Sequence, residues 1–99
     1  MVKTLKIDRI IWDEWNVEHV ARHGVVPHEV VEILHGEHVV KESYRERLKV
    51  VGETRSGRIL AIAIHEDSEN EYYVITARDA DLGERGDYLR EKEGQYEKE

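Results

Sequence analysis

The sequence predicts one α+β domain in which a strand, two short helices, an antiparallel meander of three to four strands and a C-terminal helix follow one another. Three observations predict it. Apolar and polar residues alternate from Leu5 to Trp12, the period of a strand. Two stretches without internal glycine, Glu14 to His23 and Pro27 to His35, place apolar or aromatic residues at helical spacing and each runs into a glycine, Gly24 or Gly36. From Val39 to Arg78 the apolar residues fall in short β-branched blocks separated by turn formers, after which the chain becomes almost wholly charged. At 99 residues the chain can bury one core but not two.

The first strand enters the core through Ile10, Ile11 and Trp12, and Asp13 is placed to cap the helix that follows. In that helix Trp15, His19 and Arg22 recur at helical spacing, and Trp12 and Trp15 are expected to anchor the core, one or both. Pro27 fits the first turn of the second helix, where its missing N–H costs nothing, and Val30, Val31, Ile33 and Leu34 form its apolar stripe. The meander is read as Val39 to Tyr44, Arg47 to Glu53, Arg58 to His65 and Glu71 to Arg78, with a polar loop from Glu66 to Asn70. Leu60, Ile62 and Ile64 alternate with Ile59, Ala61 and Ala63, so the third of these strands is apolar on both faces and is expected at the centre. In the last, strict alternation puts Tyr72, Val74, Thr76 and Arg78 on one face and Tyr73, Ile75 and Ala77 on the other. A helix capped by Asp79 or Asp81 should carry Leu82, Tyr88 and Leu89. The domain is read as residues 1-92, with 93-99 an acidic tail that has little to bury and is expected to fray.

Composition excludes several classes of function. Without cysteine there is no disulfide, thiolate nucleophile or cysteine-ligated zinc. No apolar run approaches the ~20 residues that span a bilayer, so a soluble, cytoplasmic protein with no membrane partner is expected. The abundance of charge with scarce methionine leans toward a thermophile. Net charge is −7, with 8 basic and 9 acidic residues up to Val50 and 7 basic and 13 acidic from Val51 on. Nucleic-acid binding would therefore need a local basic site. The two helices could suggest a helix-turn-helix, but the second offers Glu29 and Glu32 where a DNA-reading helix needs basic and amide groups. His19 and His23, or His28, Glu32 and His35, fall on single helix faces, yet no His-Glu-x-x-His motif or fixed third ligand accompanies them. No metal and no cofactor is expected. Glycine-rich phosphate loops, the serine-hydrolase elbow and the dinucleotide fingerprint are all missing from the sequence.

Five short motifs occur in order: Trp12-Asp13; Arg22-His23-Gly24-Val25; Glu46-Arg47 leading to Val51-Gly52; Ser56-Gly57-Arg58; and Ile75-Thr76-Ala77-Arg78 with Glu84 and Tyr88 downstream. Together they resemble the BrnT family of toxin-antitoxin ribonucleases over most of the chain, from Trp12 to about Arg90. The resemblance implies a RelE/ParE-like fold, metal-independent endoribonuclease activity that halts translation, and a cognate antitoxin of ribbon-helix-helix type. DNA would be contacted only through the toxin-antitoxin complex, and a homodimer is compatible with it. The chain departs from the family pattern at His19, at Glu53 and at Asp79, Asp81 and Asp87.

Metal-free RNA cleavage needs a base for the 2′-hydroxyl, cations around the phosphate and an acid for the leaving oxygen. The catalytic candidates are Arg78, His23, Glu46 and Tyr88; the RNA- or phosphate-binding candidates are Arg22, Arg47 and Arg58. Each also has a purely structural reading. His23 and Arg22 sit where a helix C-terminus favours cations, Glu46 and Arg47 could be a hairpin ion pair, and Arg58 could close a strand edge. Two functions follow: a toxin-like endoribonuclease, or a non-catalytic relative that keeps the scaffold and a partner surface but has lost the basic groove.

Overall fold

The computed structural model describes residues 5–97. The expected order holds: β1 (Arg9–Ile11), α1 (Glu14–Ala21), α2 (Pro27–Leu34), β2 (His38–Glu42), β3 (Arg47–Glu53), β4 (Ile59–Ser68), β5 (Glu71–Asp79) and α3 (Leu82–Glu97). The five strands form one sheet in the order β1-β5-β4-β3-β2. Four of them are the expected antiparallel meander. The strand that opens the chain is shorter than its alternation suggested and joins the edge parallel to β5, pairing Ile10 with Tyr72.

Local chemistry sets the helix ends. Asp13 caps α1 through a reciprocal box in which its carboxylate accepts from the Asn16 N–H at 2.9 Å and the Asn16 side-chain oxygen accepts from the Asp13 N–H at 2.8 Å. The helix proper stops at Ala21, and Gly24 takes φ +72°, so the Val25 N–H bonds back to the Val20 carbonyl. Pro27 occupies the first turn of α2, where the Glu29 carboxylate accepts from the Val26 N–H at 3.1 Å.

The sheet separates two unequal layers. On one face α1 and α2 cover a core of Val20, Val25, Val30, Ile33 and Leu34 against Val50, Leu60, Ile62, Ile64, Tyr72, Val74 and Ala77. On the other, α3 lays Tyr88 over Val39, Val51, Ile59, Ala61 and Ala80. β4 is central and apolar on both sides, as its alternation predicted. Gly52 lets α2 lie close to β3, because a Cβ there would come within 2.6 Å of Ile33. Of the two tryptophans, Trp12 packs on the core, whereas Trp15 is 61% exposed and stacks on His19 with ring centroids 4.9 Å apart.

The faces of β5 depart from strict alternation. Ala63 pairs with Thr76 but Ile64 pairs with Val74, so Ile75 is an extra residue in a β-bulge. Beyond it the parity inverts. Tyr72, Val74 and Ala77 share the α1/α2 core, and Thr76 and Arg78 turn to the α3 face. Buried Asn16 supports this irregularity, its amide donating to the carbonyls of Ile11 and Val74, each at 3.0 Å. One side chain thus joins the end of β1, the start of α1 and the bulge.

Candidate functional site

Apart from Arg58, the residues nominated from the sequence occupy three separate places. Arg22 and His23 lie at the end of α1. The Arg22 guanidinium is paired with Glu18 at 3.0 Å and is exposed, and the His23 ring meets His19 edge-on at 5.8 Å. Glu46 and Arg47 lie at the β2–β3 hairpin, where Glu46 adopts φ +60° and the Arg47 guanidinium sits 5.7 Å from the Tyr44 ring centre. Arg78 and Tyr88 both lie on the α3 face of the sheet. Tyr88 is 3% exposed, a core position that leaves its ring no room to stack on a base.

Arg58 is a tertiary clamp. It donates to both oxygens of Asp79 at 2.8 and 3.2 Å, to the Glu29 carboxylate at 3.0 and 3.1 Å and to the Gly24 carbonyl at 2.8 Å. These contacts tie the α1–α2 turn and α2 to the ends of β4 and β5. The hydrogen bonds that Arg58 donates to Asp79, with Glu29 beside it, raise the guanidinium pKa further still, and Arg58 in turn holds Asp79 below the usual carboxylate range. Its donors are taken up by the protein.

The α3 face carries the densest basic chemistry. Along β3, Arg47, Lys49 and Val51 point the same way by strand alternation. Register places Lys41 opposite Lys49, His65 opposite Arg47, and Arg78 beyond Ala61 in the row of Val51. Arg78 donates to both oxygens of Glu84 at 2.7 and 3.0 Å, and Lys49 donates to the same carboxylate at 2.9 Å. Lys41 pairs with Asp87 at 3.3 Å. Chiefly through Arg78, and against the effect of burial, Glu84 is pulled down to about 2; the Lys41 ammonium likewise lowers Asp87. Arg78 is pushed up by Glu84.

In this structure the Glu84 carboxylate fills the arrangement, and the forked geometry Arg78 offers to that carboxylate is one that also suits phosphate. Arg47 lies about 13 Å along β3 from Val51, in the row of Arg78, with His65 and Tyr73 in its own row. Lys41, Lys49 and His65 escaped the motif reading. Strand alternation in Lys41-Glu42 and Arg47-Leu48-Lys49 could have put the cations on one face, but only register puts His65 beside them. Among the described residues no three His, Cys, Asp or Glu side chains gather as a metal site, and no helix is long and apolar enough to cross a membrane.

No family model matches the sequence, and no curated protein does so. Among solved structures, the chain is similar to the ribonuclease toxin BrnT of Brucella abortus, with a TM-score of 0.61 and 26% identity over 75% of this chain and 97% of that one. That likeness agrees with the ordered motifs from Trp12 to Tyr88 and with the layered sheet that carries them. In fold and in its ordered motifs the chain is thus BrnT-like.

Proposed function

We propose that the protein is a toxin-like endoribonuclease acting on the α3 face of its sheet. The carrying observation is the bulge at Ile75, which turns Arg78 onto the face where Lys41, Lys49 and Arg47 already point. Arg78 and Lys49 are the groups for the phosphate, Arg47 extends the track toward the hairpin, and His65 is the imidazole on that same face that can carry a proton. His23 and Arg22, at the end of α1, and Glu46, in the hairpin, serve RNA contacts around this centre. The reaction needs no metal. The partner is a cognate antitoxin of ribbon-helix-helix type that covers this face in the cytoplasm.

Induced expression in a bacterial host tests the reading. Growth arrest and RNA cleavage that persists in chelator, both relieved by Arg78→Ala and weakened by His65→Ala, are the expected results. Intact RNA and unaffected growth with the wild-type protein would overturn it. A second reading, a non-catalytic partner-binding relative, draws on the engagement of Arg78 and Lys49 by Glu84. It predicts antitoxin binding unchanged by Arg78→Ala.

A further inference from the structure

α3 is a poor helix to hold by apolar burial. Tyr88 is its deeply buried apolar anchor among the described side chains, while Leu82 is 87% and Leu89 44% exposed. What joins it to the sheet is charge: Glu84 to Arg78 and Lys49, Asp87 to Lys41, and Lys92 to Glu53 at 3.4 Å. Asp87 is also paired with Arg90 on its own helix. The carboxylates of Glu84 and Asp87, one helical turn apart, thus lie on three cations carried by three different strands. The Glu84 carboxylate sits in the fork of Arg78 as one face of a phosphate would.

We propose that α3 blocks its own domain's RNA site: Glu84 and Asp87 occupy the positions of two phosphates of a single-stranded RNA, which takes Lys41, Lys49 and Arg78 when the helix leaves the sheet. The proposal rests on the RNA-cleaving reading above and names the regulation of that site. It reconciles a chain of net charge −7 with a polyanionic ligand, because two of the acidic charges move away with the helix as the RNA arrives. RNA is favoured over an acidic protein segment because the basic track continues past the helix through Arg47 toward the hairpin, longer than the pair of carboxylates now covering it.

The test measures binding of a short RNA carrying 2′-O-methyl groups, which cannot be cleaved through the 2′-hydroxyl, by fluorescence anisotropy. The Glu84→Gln/Asp87→Asn variant is expected to bind about tenfold more tightly than wild type at low salt, with a steeper salt dependence. Adding Lys49→Ala should cancel the gain. In the wild-type protein, saturating RNA should speed amide hydrogen exchange in α3 and leave β4 protected, a readout that does not depend on the variants folding. An unchanged affinity in a folded variant, a gain that survives Lys49→Ala, or α3 exchange unaffected by RNA would each overturn the proposal. So would displacement of α3 by an acidic peptide but not by RNA. Tighter binding without cleavage of unmodified RNA would sink the nuclease reading and leave this inference standing. Cleavage without the gain would do the reverse.

Discussion

The two faces of the sheet are held by different physics. Under α1 and α2 the contacts are apolar and deeply buried, with Val20, Val30, Ile33, Ile62, Ile64 and Val74 at 0% exposure, and the polar exceptions are fully bonded. Buried His38 has its Nδ1 2.9 Å from the Ile33 carbonyl, while its Nε2 accepts from the Leu5 N–H at 3.2 Å, which sets the tautomer. Under α3, among the described side chains, Tyr88 is supplemented by ion pairs whose cations reach solvent, with Arg78 43% and Lys41 52% exposed, although the Glu84 carboxylate is itself buried. Apolar burial is not weakened by charge screening and is hard to reverse locally; ion pairs with solvent-exposed partners are screened by salt and exchangeable. The α1/α2 face is therefore the scaffold and the α3 face the one suited to changing partners.

The comparison would break first on core truncation. Ile62→Ala should cost about 3–4 kcal/mol, whereas Leu82→Ala on α3 should stay within about 0.5 kcal/mol, both read by denaturant unfolding; equal losses would abolish the distinction. Next comes Asn16→Ala, which strands the Ile11 and Val74 carbonyls and should cost about 2–4 kcal/mol. It should also shift the NMR resonances of Thr76 and Arg78 if Asn16 supports the bulge, and leave them in place if it does not.

A smaller effect is expected from pH. Burial holds His38 below its ordinary value, so its neutral form favours the folded state. That stability is fully present above about pH 6.5 and is lost as pH falls below it. His38→Gln should flatten the stability profile through that window. On the opposite face, Glu84 is lowered to about 2 from 4.5, so its contribution is complete above pH 4.5 and disappears between there and about 2. The least effect is that of salt: about 1 M salt should loosen α3 by less than ~1 kcal/mol, seen as faster amide exchange in that helix, with β4 unchanged. Equal loosening of both would mean that α3 is not held by charge.

Much of the fold was legible in the residues. Asp13, Gly24 and Pro27 act within a few positions of themselves, and the two-sided apolar run from Ile59 to Ile64 reads as a central strand, which it is. The pairing of β1 with β5 was not legible, because it joins segments about 60 residues apart. Arg58 was a phosphate-binding candidate as an arginine in the Ser56-Gly57-Arg58 motif; its partners Asp79 and Glu29 are 21 and 29 positions away in the sequence. Tyr88, a catalytic candidate in the sequence, lies buried on the sheet-facing side of α3.

The sequence by itself determined the local plan: where helices start and stop, which strand is central, and the ordered motifs that mark a BrnT-like chain. Only the tertiary structure decided which cations meet which acids. A single bulge at Ile75 reverses every side chain beyond it, and ion pairs form between strands and helices that chain order leaves far apart. The candidate site was hidden because its geometry is a property of register and docking, and neither leaves a periodic trace in the residues themselves.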